Sequence, residues 1–119
     1  MMSSNDSLER LRQRLAEFAT ARDWAQFHSP KNLAMALIGE TAEVIEHFQW
    51  LTEEQSYHLS PDKKQAVSHE LADVLIYLIR MADRLDIDLI TSAQAKIKIN
   101  ENRYPIEQVK GDARRAEEY

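Results

Sequence analysis

Two stretches of this chain carry apolar side chains at three- and four-residue steps, and carboxylates interrupt both at a spacing of three. In "NLAMALIGETAEVIEHFQW" (residues 32–50), a 100° turn per residue puts Leu33, Leu37, Val44 and Phe48 on one stripe. Ala34, Ile38, Ala42 and Ile45 widen that stripe to roughly half the circumference. The opposite arc holds Glu40, Glu43, Glu46, His47 and Trp50. The period predicts a helix from Pro30 or Lys31 to Leu51, with one core side and one acidic side. "LADVLIYLIRMA" (residues 71–82) lies inside a second expected helix, Pro61 to Leu85. It is apolar over most of its circumference, so it too is expected to be buried. Its polar line is Glu70, Asp73, Tyr77, Arg80 and Arg84.

The rest of the chain fits around these two helices. Leu8, Leu11, Leu15 and Phe18 predict a helix from Ser7 to Arg22, with Asp6 and Glu9 as its N-terminal cap. "RDWAQFHSPKN" and "TEEQSYHLSPDKK" read as connections. Ser60 followed by Pro61 is a strong helix start. Asp86 or Asp88 opens a further helix in which Leu89, Ile90, Ala93 and Ile97 face inward. It should end before Tyr104-Pro105, because the residue preceding a proline is biased away from helix. Only 2 glycines and 3 prolines occur in 119 residues, too few for a turn-rich β protein. The expectation is an all-α, four-helix bundle over residues 1–105, with a charged, mobile tail over 106–119. A chain this short buries a modest core, which favours assembly with further copies of itself.

Composition excludes several function classes. A formal net charge of -5 and a pI near 5.3 argue against nucleic acid as a partner. The longest apolar stretch, Val74 to Ile79, is far too short to cross a bilayer, and the N-terminus shows no signal-like apolar core. No membrane partner and a cytoplasmic location are therefore expected. Without cysteine there is neither a disulfide nor thiolate chemistry.

The carboxylates carry the chemical signal. Glu40 and Glu43 share one helical face, and Glu70 and Asp73 share another. A single such pair is usually a solvated surface. Two pairs on two largely apolar helices suggest facing carboxylates, which must either protonate or hold a cation. A set of oxygen ligands suits Mg²⁺, with Mn²⁺ as a substitute. The di-iron bundle pattern Glu-x-x-His and the zinc-protease helix pattern are both missing from the sequence. Trp50 falls on the acidic arc, two turns beyond Glu43, where its ring could stack on a base or pack at a subunit contact. Trp24, Phe27 and His28 stand in the loop before the acidic helix, and Tyr77 follows Asp73 by one turn. Lys96, Lys98 and Arg103 are late cations that suit either phosphate or a helix C-terminus. With only Gly39 and Gly111, there is no glycine-rich phosphate loop.

Taken together, "RDWAQFHSPKNLAMALIGETAEVIEHFQW", "HELADVLIYLIRMADRLDIDL" and "KIKINENRYP" resemble the MazG-like all-α nucleotide pyrophosphohydrolases, nearest to their dCTP-cleaving branch. The likeness runs from Leu8 to Pro105. It implies hydrolysis of a nucleoside triphosphate, dCTP or a modified dCTP, to the monophosphate and pyrophosphate. It implies Glu40, Glu43, Glu70 and Asp73 as Mg²⁺ ligands, and Trp24, His28 and Trp50 as the frame of the base. Asn32, Tyr77, Lys96, Asn100 and Tyr104 become candidates for sugar and phosphate contacts. Glu46 and Glu43 compete for the role of general base. The family also implies a homo-oligomer, dimeric or tetrameric. Two departures stand out: Gly39 occupies a position where many members carry an acid, although the dCTP-cleaving branch also has glycine there. Leu15 aligns with a histidine found in some animal members. The alternative reading is a non-catalytic helical module for dimerisation or nucleotide binding, its acids merely solvated.

Overall fold

The computed structural model describes residues 4–114, and every regular element among them is helical. Helix α1 spans Ser4–Ala21, α2 Pro30–Glu46, α3 Glu53–Ser56, α4 Pro61–Arg84, α5 Leu89–Arg103 and α6 Ile106–Val109. The four long helices stand close to where periodicity puts them. The one-turn helices α3 and α6 were not anticipated. The chain divides into two compact units, one ending at Ile87 and the other starting at Asp88.

In the first unit, local chemistry explains the helix boundaries. Ser29 accepts from the backbone N–H of Asn32 and starts α2, with Pro30 in its first turn. Ser60 does the same for α4, accepting from Lys63 ahead of Pro61. The "TEEQ" stretch closes into α3 through a reciprocal capping box between Thr52 and Gln55. The expected cap at Asp6 is corrected: α1 begins at Ser4, so Asp6 lies inside the helix. Glu9 pairs instead with Arg12 one turn on. Helix α2 stops at Glu46 rather than Leu51, and the chain continues through turns past His47.

Both α1 and α4 end on an aspartate in the left-handed region, Asp23 at φ 54° and Asp86 at φ 55°. At each, the next residue's N–H reaches back across the last turn. Trp24 donates to the Ala19 carbonyl at 2.9 Å, and Ile87 to the Ala82 carbonyl at 2.8 Å. This backbone arrangement usually selects glycine, and aspartate tolerates it better than most other residues.

Helix α4 packs mainly along α2 and, over a shorter length, against α1. Among the described residues the buried apolar ones are Ala19, Leu33, Val67, Ile79 and Ala82. That core is smaller than the periodicity suggested. Leu71, Leu75 and Leu78 of α4 are exposed, as are Met35, Ile38 and Ile45 of α2. Helix α4 is thus not buried all round, because its neighbours cover only part of its circumference.

In the second unit, the side chain of Asp88 accepts from the Thr91 N–H and starts α5. Asp86, the other candidate cap, is the left-handed residue ending α4. Helix α5 holds no buried residue, and Ile97, expected to face inward, is 55% exposed. A helical turn at Ile106–Val109 follows Pro105. The last five residues of the expected tail lie outside the described residues.

Candidate metal and nucleotide site

Helix geometry brings Glu40 and Glu43 to one face of α2, and the α2–α4 packing sets Glu70 against them. One carboxylate oxygen from each of Glu40, Glu43 and Glu70 lies within 4.8 Å of the other two. Glu40 and Glu70 are half-buried, and Glu43 is exposed. The Oε2 atoms of Glu40 and Glu70 are fully buried and have no hydrogen-bond partner. An orphaned buried carboxylate oxygen is costly, because nothing repays its lost hydration.

The electrostatics agree with the geometry. Burial is the largest influence raising the Glu40 pKa above the ordinary carboxylate range, followed by Glu43 and then by the charges of Asp73 and Glu70. Glu70 is also raised, first through its contact with Glu43 and then by burial, while His47 opposes the shift. His47 Nε2 lies 3.8 Å from Glu70 Oε1. Asp73 is half-buried and acts on Glu40 and Glu70 through its charge. It is not one of the three residues in mutual ligand reach. Like charges held this close, with buried lone pairs unfilled, fit a hard divalent cation whose preferred ligands are oxygens.

The other candidates fall into separate places. Glu46 is exposed at the last turn of α2 and is not in the trio. Trp50 is 87% exposed beyond the end of α2. Trp24 sits edge-on to Phe18 of α1, ring centroids 5.7 Å apart. His28 accepts at Nδ1 from Arg80 Nε at 3.3 Å. The Asn32 side chain donates to the Phe27 carbonyl at 3.1 Å and ties the loop to α2. Tyr77 is half-buried on α4. In the second unit, Lys96 and Asn100 are exposed one turn apart on α5, and Tyr104 caps its end. Sequence reasoning assigned no role to His47 or Arg80. His47 was visible on the acidic arc, but its contact with Glu70 depends on how two helices pack.

The sequence model of the MazG-like family matches residues 38–118. Over 113 residues the chain is 43% identical to dCTP pyrophosphatase 1 of Bos taurus, covering 93% of this chain and 67% of that one. Against dCTP pyrophosphatase 1 of Homo sapiens it is 43% identical over 115 residues, covering 95% and 68%. The crystal structure of a pyrophosphatase from Archaeoglobus fulgidus superposes with a TM-score of 0.80 at 36% identity, covering 88% of this chain and 98% of that one. The chain belongs to the MazG-like family.

Proposed function

We propose that this chain is a divalent-metal-dependent nucleoside triphosphate pyrophosphohydrolase that cleaves dCTP or a modified dCTP to the monophosphate and pyrophosphate. Hydrolysis of a phosphoric anhydride is the chemistry that its relatives' names share. What supports the metal is the convergence of Glu40, Glu43 and Glu70 with two buried oxygens unpartnered. In the non-catalytic alternative the acids are merely solvated and would leave no buried oxygen without a partner.

Glu40, Glu43, Glu70 and Asp73 would hold the ion, with Mg²⁺ the best match to an all-carboxylate set and Mn²⁺ its substitute. When bound, the ion offsets charge that develops on the phosphate oxygens in the transition state. The chain's own residues supply the remainder. Glu46 or Glu43 takes the proton from the water that attacks the α-phosphorus. The bond from that phosphorus to the β-bridging oxygen breaks, and pyrophosphate leaves. Trp24, His28 and Trp50 frame the base, each presenting an aromatic face or edge. Asn32, Tyr77, Lys96, Asn100 and Tyr104 serve the sugar and phosphates.

The protein is proposed to act as a homo-oligomer, dimer or tetramer. The exposed rows Leu71–Leu75–Leu78 and Met35–Ile38–Ile45 are surfaces a second copy would cover. Among the described residues no helix is long and apolar enough to cross a membrane. A cytoplasmic location fits a free nucleotide as substrate, and the acidic net charge disfavours nucleic acid. The test is pyrophosphate release from a panel of nucleotides with and without Mg²⁺. Mg²⁺-dependent release from dCTP is expected, and no release from any nucleotide overturns the function.

A further inference from the structure

Arg80 is the one buried charged residue among the described residues, 6% exposed. A guanidinium is tolerated there only with partners in place. Its Nη1 donates to Asp83 Oδ2 at 3.2 Å, and the other oxygen of Asp83 accepts from Arg12 Nη1 of α1 at 3.0 Å. Its Nε donates to the His28 ring at Nδ1. One turn on, Arg84 Nε donates to the backbone carbonyl of the same His28 at 3.1 Å. Helix α4 therefore grips a single loop residue by both side chain and backbone.

This grip decides the chemical state of His28. A guanidinium carries only donors and keeps its charge at any ordinary pH. The ring nitrogen facing it must therefore be an acceptor, and the one proton of the neutral ring must sit on Nε2. A proton on Nδ1 would set one N–H against another, and a flipped ring would turn a carbon toward a buried donor. Among the described residues Nε2 makes no hydrogen bond, so that N–H is free to serve a ligand. Burial, and then the charges of Arg80 and Arg84, also draw the His28 pKa below the usual imidazole value.

We infer that Arg80 is a positioning residue for nucleotide binding, holding His28 as the neutral Nε2–H tautomer and, with Arg84, fixing the loop that carries Trp24 and His28. The inference rests on the proposed function, in which that loop meets the base. It adds what His28 presents there: one hydrogen-bond donor toward an acceptor atom of the nucleotide, without a positive charge. It also names what keeps it so, a chain from Arg12 through Asp83 and Arg80.

The test uses the full chain with ¹⁵N-labelled histidine, where long-range ¹H–¹⁵N spectra show which ring nitrogen carries the proton. The His28 signal is assigned by its loss in His28→Gln. In the wild type His28 should be neutral and protonated on Nε2 at neutral pH. Arg80→Lys keeps a positive charge but loses the guanidinium N–H aimed at Nδ1. It should release the tautomer preference and raise KM for dCTP roughly tenfold, with kcat changed little. A wild-type His28 protonated on Nδ1, or charged at neutral pH, overturns the inference even where no variant folds. So does an Arg80→Lys protein with unchanged tautomer and KM, or one that loses kcat alone. Wild-type protein that turns over no nucleotide overturns the proposed function instead, while the spectrum still reports the state of His28.

Discussion

Helix α4 carries two charged clusters about 15 Å apart along its axis, and they solve the burial of charge in opposite ways. Near its N-terminal half, Glu70 faces Glu40 and Glu43 of α2, all of one sign, with two buried oxygens unpartnered. Ten residues later, Arg80 and Asp83 pair with each other and reach Arg12 and His28, so opposite charges and donors meet their complements. Apart from the His28 Nε2–H, the second cluster is complete within the chain, as a structural clamp must be. The first is incomplete, and the mismatch is what the proposed cation would correct. Unfilled electrostatics mark where the molecule expects a ligand, and filled electrostatics mark what holds it together.

The difference can be broken from either side. Glu43→Gln should lower Mg²⁺-dependent turnover on the order of a hundredfold or more, the rate equivalent of about 3 kcal/mol. The same change should raise the melting temperature of the cation-free protein, because it removes one of three mutually repelling charges. An acid cluster that only supported the fold would lose stability instead. Asp83→Ala strips Arg80 and Arg12 of their shared partner and should cost about 3 kcal/mol in urea unfolding, whether or not Mg²⁺ is present.

Titration separates the clusters by sign. Glu40 and Glu70 have raised pKa values in the folded state, so the fold binds their protons more tightly than the unfolded chain does. Without metal, their contribution to stability should be greatest below the ordinary carboxylate pKa and be lost as pH rises through the raised folded values. Mg²⁺ should cancel or reverse that fall. His28 has a lowered pKa, so its contribution is full above the ordinary imidazole value and is lost as pH drops through the folded one. Melting curves against pH, with and without Mg²⁺, check both slopes. The smallest effect belongs to neither cluster. Ser29→Ala removes the cap of α2 and should cost about 1 kcal/mol by thermal melting, with Mg²⁺ affinity nearly unchanged. A large loss of Mg²⁺ affinity in that variant would mean that the placement of Glu40 depends on how α2 begins.

Much of this was legible in the chain because it is local. Ser29-Pro30 and Ser60-Pro61 mark helix starts through bonds spanning three residues. The i, i+3 spacing puts Glu40 beside Glu43 whatever else the chain does. Local reasoning failed where a side chain's surroundings depend on distant residues. Leu71, Leu75 and Leu78 look like core in a linear pattern, yet nothing in their own segment decides whether another helix covers them. Turn-length helices were missed for a related reason: α3 depends on two side-chain bonds between Thr52 and Gln55 in a stretch that otherwise reads as loop.

By itself, then, the sequence determined that the chain is helical, where its long helices start, and that two acidic pairs, one of them on a polar line with Tyr77, Arg80 and Arg84, lie on defined helical faces. Backbone hydrogen bonding and side-chain period act over a few residues, and the sequence states them directly. Only the tertiary structure decided that Glu70 meets Glu40 and Glu43, and that Arg80 reaches His28 across 52 positions of chain. Those meetings depend on which faces of two helices pack together, a matter of shape and burial summed over the whole interface that no single spacing encodes.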